Sequence, residues 1–237
     1  MTRPLREPGL TQLGVEHGFG VRDFAEPAGL RRPRQVHGAV VVRGEDCQGD
    51  DRPEADAVVT SVPGETVGVI TADCVPVLVG TRDGRAVAAI HAGWRGLAAG
   101  VIEAGIDALR HIASSGPDPA PPLVAALGPH IGSCCYEVDA PVTDALAERF
   151  AGPLAGALAP SQRDARWLLD LAHLVTADLE RCGLASSDIF VLSDSCTQCD
   201  AVRFHSYRRD GPRSGRLVHF ITACTEAAER TQRTVRG

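Results

Sequence analysis

Three residues stand where an apolar stretch meets a bend in the chain. His37 precedes Gly38 in QVHG, Cys74 follows Asp73 in TADCVP, and His91 ends the run AVAAI just before Gly93. The ends of strands are where side chains converge on a common site. One thiolate and two imidazoles suit Zn2+ and leave a fourth position for water or substrate. The same residues also suit nucleophilic chemistry, with Cys74 attacking, a histidine as its base and Asp73 or another carboxylate orienting that base. Plain packing is a third reading, because cysteine is among the most buried residue types. The separations match no local zinc motif, so spacing alone leaves all three open.

The stretch AAIHAGWRGLAAG, Ala88 to Gly100, places Gly93, Arg95 and Gly96 ahead of a helical pattern. Free backbone N–H groups and a helix dipole at such a junction favour an anion, and Arg95 adds a permanent charge. A strand-to-helix turn would look similar. Further on, FHSYRRDGPRSGR gathers Arg208, Arg209, Arg213 and Arg216. In an acidic chain that cluster suits a phosphate or carboxylate, although a solvated loop reads the same way. Cys196 and Cys199 form one C-x-x-C. Such a pair needs a second pair to close a structural zinc site. The candidate partners, Cys134 and Cys135, are adjacent, which is poor chelating geometry, so a non-catalytic role is expected.

Composition removes several classes. The 237 residues carry a net charge of −6, which argues against a broad nucleic-acid surface. All 24 basic residues are arginine. Schiff-base, pyridoxal phosphate and Walker-type phosphate chemistry each need a lysine and are excluded. The zinc deaminase signature H-x-E…P-C-x-x-C is absent. The single methionine is Met1, so the usual Cys/His/Met blue-copper set is not evident. No apolar run reaches the length of a membrane span, and the N-terminus shows no secretory h-region. A cytoplasmic location is expected, with the eight cysteines as thiols, ligands or core residues. The oligomeric state is left open.

Several elements must position these residues. Residues 1 to 34 read as loop-rich. A strand is expected to begin at QVHGAVVVR, followed by strands at Ala57 to Thr60, Thr66 to Ala72, Val75 to Gly80 and RAVAAIHAG. Residues 97 to 113 read as one helix, residues 139 to 150 as a second and residues 165 to 182 as a third, with 151 to 164 as an exposed connection. LVAALGPHIG, DIFVLS and LVHFITA read as further strands, SSGPDPAPP as a surface loop and the last residues as a polar tail. Strands and helices mix without strict alternation. That predicts α+β, with mixed, sandwich-like β-sheets flanked by helices in a single domain over residues 1–237.

With these residues in view, the chain resembles the YfiH-like laccase-domain family. The resemblance rests on QVHG, ADAVVT, TADCVPVL, HAGWRGL, GPHIGSCCYEV, LDL, the Cys196-Thr197 pair, SYRRDG and SGR, which follow in family order over about residues 14 to 222. EHGFGVRDF matches the family's N-terminal segment only loosely. FHSYRR and SGR stand where FFSYRR and TGR are usual. The resemblance implies a metal site of His37, Cys74 and His91, holding zinc or, in the older assignment, copper. It implies phosphorolysis of adenosine, inosine and methylthioadenosine, and deamination of adenosine, with a purine nucleoside and phosphate as partners. Cys74, His91 and Arg95 would be catalytic, and Asp73, Arg95, Cys135, Arg208 and Arg216 would bind substrate. Copper-dependent phenol oxidation, peptidoglycan-precursor editing and metal binding without turnover are the alternatives.

Overall fold

The computed structural model describes residues 2–49, 51–114 and 121–225. Its centre is a six-stranded mixed sheet in the order Ile189–Val191, Leu123–Leu127, Val75–Thr81, Val87–Ala92, Ala57–Thr60 and Val41–Arg43. The four inner strands are buried along their whole length. Continuous apolar runs of Val, Ala, Ile and Leu are what a sheet covered on both faces requires. On one face lie the helices Val101–Ala113, Ala140–Ala157 and Leu171–Arg181, around Ile90, Ile102, Ile106, Leu146 and Leu174. On the other lies a three-stranded antiparallel sheet of His17–Phe19, Leu217–Thr222 and Thr66–Thr71, closing on Phe19, Val69, Leu78 and Ile221. A smaller sheet joins Glu137–Val138, Trp167–Leu169 and Leu158–Pro160. This is the expected α+β arrangement of mixed sheets with flanking helices, and among the described residues it contains no barrel. Among the described residues, no helix is long and apolar enough to cross a membrane.

Four local expectations need correction. The helix read over 97 to 113 is two helices, Trp94–Ala98 and Val101–Ala113. Gly100 divides them at φ 86°, a conformation open to glycine and costly for other residues. The helix read over 139 to 150 continues to Ala157 and kinks at Phe150, so Pro153 opens a second segment rather than a loop, and Leu154 and Ala157 are buried. The third helix begins only at Leu171. Asp170 caps it by accepting from the His173 N–H at 2.9 Å, and Trp167–Leu169 ahead of it is a strand. The N-terminal region holds the short helix Pro8–Gln12 and the strand His17–Phe19. Most of the loop read at SSGPDPAPP, and the tail after residue 225, lie outside the described residues.

Besides His91, three histidines are buried in this frame, each held below the ordinary histidine range because burial strips water from an imidazolium. His17 Nδ1–H donates to the Val15 carbonyl at 2.8 Å, and its Nε2 accepts the Glu7 N–H at 2.9 Å, so the neutral ring fits and the charged ring does not. His130 donates likewise to the Gly128 carbonyl at 2.8 Å. His219 is pushed down to about 3 and contacts Thr71 Oγ1 at 2.9 Å. Below about pH 6.5 the unfolded chain binds protons that the folded chain refuses. The contribution of these three rings is therefore full above that pH and falls as the medium is acidified, by up to about 1.4 kcal/mol per pH unit for each histidine. Urea unfolding between pH 7.5 and 5 should show this loss before ordinary carboxylates titrate, and His219→Gln should flatten it.

Candidate metal centre

The central sheet brings His91 and Cys74 together. Strand Val87–Ala92 pairs with Val75–Thr81 in a register that sets His91 opposite Pro76, and Cys74 lies immediately before that strand. His37 does not sit at the start of a strand as read from the sequence. It lies in a loop four residues ahead of Val41–Arg43, with φ at 62°. Left-handed backbone is unfavourable for a residue with a side chain, though histidine tolerates it better than most.

Asp56 holds that loop. Its side chain is fully buried, next to the strand Ala57–Thr60. Oδ1 accepts the His37 N–H at 2.9 Å and the His91 Nδ1–H at 2.7 Å. Oδ2 accepts the N–H groups of Val36 at 3.2 Å and Gly38 at 2.6 Å. Burial would raise this carboxyl, but the bonds from His91, Gly38 and Val36 outweigh it and hold it below the usual aspartate value. With Nδ1 of His91 committed, Nε2 is the nitrogen left to act. A carboxylate that fixes the tautomer from behind is the usual support of a ligating histidine.

One ligand atom from each of His37, Cys74 and His91 lies within 4.8 Å of the others. The two rings meet edge to face, with centroids 4.8 Å apart. His91 is buried, Cys74 partly buried and His37 exposed, so the group opens toward solvent at His37. Burial alone would raise the Cys74 thiol. The His91 charge and the hydrogen bonds from His37 and His91 reverse this and bring it down to about 6. Burial would likewise lower His91, but the Cys74 thiolate and Asp56 lift it to about 9. The donor set is one ready thiolate and two imidazoles, with His91 releasing its Nε2 proton when an ion binds, and it fits a tetrahedral ion with one open position. Gly93 is required here, because a Cβ on it would stand 2.9 Å from Cys74 Sγ.

The remaining expected residues spread around this group. Asp73, at φ 91°, turns both carboxylate oxygens to the protein. Oδ1 accepts from Thr197 Oγ1 at 2.6 Å and Oδ2 from the Arg208 N–H at 2.6 Å. Arg95 is exposed and lies 4.2 Å over the ring of Trp94. Its helix is one turn long, so the anion seat there rests on the guanidinium and not on a helix dipole. Arg208 donates to the Glu137 carbonyl at 2.8 Å and covers Tyr136 at 5.1 Å. Tyr136 is where these fields meet. Burial and the Cys74 charge raise its phenol, while Arg208 and Arg95 pull the other way. Arg216 lies over Tyr207 and donates to the Ser214 and Gly215 carbonyls, contacts that do not tie it to Cys74. Cys135 belongs to a separate group with Cys134, Cys196 and Cys199. The adjacency of Cys134 and Cys135, expected to be poor chelating geometry, does not keep their sulfurs from gathering with those of Cys196 and Cys199. Asp56, Tyr136 and Thr197 were not anticipated as site residues. For Asp56 the signal is a lone acid leading the apolar run ADAVVT.

Fold and site together define an α+β protein with a His2Cys centre at the edge of a mixed sheet. A family model described as "Multi-copper polyphenol oxidoreductase laccase" matches residues 21–224, and the chain belongs to that family. A purine nucleoside phosphorylase of Xylella fastidiosa is 41% identical over 189 residues, covering 78% of this chain and 68% of that one. Purine nucleoside phosphorylase YfiH of Escherichia coli is 37% identical, covering 79% and 71%. The crystal structure of YlmD from Geobacillus stearothermophilus superposes with a TM-score of 0.76 at 25% identity, covering 92% of this chain and 94% of that one. A Neisseria meningitidis protein superposes with a TM-score of 0.71 at 35% identity, covering 83% and 75%.

Asp56→Asn tests the anchor. An amide would point N–H donors at the backbone donors that one carboxylate oxygen now accepts. Stability should fall by about 3 kcal/mol. Zinc affinity, read by chelator competition, should drop about 10- to 100-fold. An unchanged affinity would mean that Asp56 does not orient His91.

Proposed function

We propose that the protein is a zinc-dependent purine nucleoside phosphorylase acting on adenosine, inosine and methylthioadenosine, with adenosine deamination as a second activity of the same site. The observation that carries this reading is the similarity to chains named purine nucleoside phosphorylase, 41% over 189 residues in one case. The family match, residues 21–224, spans His37, Asp56, Cys74, His91, Arg95 and Arg208.

His37, Cys74 and His91 would hold the ion, which supplies Lewis acidity toward an oxygen of phosphate, ribose or water. The other roles fall to side chains. Arg95 and Arg208 are exposed guanidinium groups whose fields meet at Tyr136, and they suit the two faces of a phosphate. In phosphorolysis, a phosphate oxygen bonds to ribose C1′ as the bond to the purine nitrogen breaks. The electron pair leaves with the base, which takes up a proton. Tyr136 stays a neutral phenol and so keeps a hydrogen to donate in that pocket. Asp73 serves by position, since both its oxygens are spent on Thr197 and Arg208. Deamination would replace phosphate by water, with attack at C6 of adenine and loss of ammonia.

The family description favours a second reading, copper-dependent phenol oxidation on the same three ligands. Reducing O2 to water takes four electrons, and a single copper carries one. Among the described residues, the other metal-competent group is made of thiols only.

The test incubates zinc-loaded protein with each nucleoside and phosphate, following free base, ribose 1-phosphate and ammonia. Cys74→Ala should abolish turnover. Arg95→Ala should raise KM for phosphate about tenfold while changing kcat less. A copper-loaded preparation that oxidises phenols while every nucleoside stays intact would overturn the proposal.

A further inference from the structure

Four thiols converge on the far side of Asp73. Cys134 and Cys135 lie in a turn closed by the Cys135 N–H and Tyr136 N–H, which donate to the Gly132 carbonyl at 2.9 and 3.0 Å. Cys196 and Cys199 flank the next turn of chain in space, reached through the bridge His130 to Cys196 and the Thr197 N–H to the His130 carbonyl at 2.9 Å. Cys134 Sγ lies 3.6 Å from each of the sulfurs of Cys135, Cys196 and Cys199, and Cys135 Sγ lies 3.3 Å from that of Cys199. All four sulfurs fall within 4.8 Å of one another.

Those separations suit one tetrahedral ion. A Zn–S bond of about 2.3 Å gives a sulfur–sulfur edge of about 3.8 Å. The four shortest pairs sit a few tenths inside that value. A tetrathiolate set selects zinc or iron over harder ions. None of the four is in a disulfide. A bond between Cys134 and Cys135 would also be strained, because adjacent Cα atoms stand about 3.8 Å apart, shorter than the usual disulfide span of about 4.4 to 6.8 Å. The Gly132 N–H already points at Cys196 Sγ from 3.3 Å, a donor placed for a thiolate.

We propose that Cys134, Cys135, Cys196 and Cys199 bind a second Zn2+ as a closed structural site that clamps the Gly132–Tyr136 turn to the Cys196–Cys199 turn. The four thiols release their protons to solvent on binding, and no electron is transferred. The clamp matters because Thr197, inside the second turn, donates to Asp73, the neighbour of Cys74. Arg209 braces the same turn, donating to the Thr197 carbonyl at 2.8 Å and the Gln198 carbonyl at 3.1 Å. With all four positions filled by protein, this ion has no open coordination site for substrate. The proposal is independent of the reaction assigned to the first centre.

Metal analysis of the full chain, purified under reducing conditions and equilibrated with zinc, tests it. About two equivalents of zinc are expected in the parent protein. About one should remain in the double variant Cys134→Ser/Cys199→Ser and about one in His37→Ala/Cys74→Ala. The thiol variant should also melt earlier. Cobalt(II) supplies a readout that requires no variant of the thiol group. The intense thiolate-to-metal absorption of a tetrathiolate should survive in His37→Ala/Cys74→Ala. A zinc content that is no lower in Cys134→Ser/Cys199→Ser than in the parent, or a cobalt absorption that vanishes when only His37 and Cys74 are replaced, would overturn the second site. So would recovery of Cys134, Cys196 or Cys199 as disulfides from protein kept reduced.

Discussion

The buried carboxylate of Asp56 is the interaction on which the centre depends. It accepts three consecutive backbone N–H groups and one imidazole in a fully buried position. An isolated buried carboxylate would be expelled or neutralised, but four donors make the anion the stable form. In return it fixes two things that the backbone would not choose. It holds His37 in left-handed backbone, and it turns His91 so that Nε2 faces Cys74. The strand supports it from behind, since the His91 N–H donates to the Asp56 carbonyl at 2.8 Å. One residue therefore joins the exposed loop to the rigid sheet.

The same logic carries outward through charge. Asp56 favours a charged His91, and His91 favours a thiolate at Cys74. The negative charge on Cys74 then opposes ionisation of Tyr136. Each group is displaced from its ordinary value by the next, so the site has neighbouring groups poised to give, hold or refuse a proton. Such clustering of perturbed groups is a mark of a functional site, and here the physical cause of each shift can be named.

The inner strands were legible because buried parallel or mixed sheets need unbroken apolar runs, and the stretches VPVLVGT, VAAIHA and LVAAL provide them. The His37, Cys74 and His91 group was legible only because Cys74 and His91 lie at the ends of such runs and all three fall in a family motif. Errors arose where three-residue elements carry no period. Trp167–Leu169 extends the apolar pattern of the following helix, and only its pairing with Leu158–Pro160 and Glu137–Val138 makes it a strand. Gly100 is one glycine among many until its positive φ is seen. Asp56 was hidden because its partners are backbone groups 18 to 20 residues away. The four thiols were hidden because Cys134 meets Cys196 across 62 residues of chain. Local spacing carries no trace of that meeting.

Asp73 shows why the two cysteine-bearing regions belong to one design. Its backbone carbonyl accepts the Ile131 N–H at 2.9 Å, tying it to the segment that leads into Cys134. Its carboxylate accepts from Thr197, between Cys196 and Cys199, and from the backbone of Arg208. Its own φ of 91° is unfavourable and persists only because these three contacts over-determine it. Cys74 follows one peptide later, so the direction of its thiol is set by how firmly the 131–136 and 196–208 segments are joined. A side chain in a functional group needs placement to within a fraction of an ångström, and loops rarely supply that unaided. Here the sheet fixes His91, Asp56 fixes His37, and the hydrogen-bonded loops fix Cys74 through Asp73.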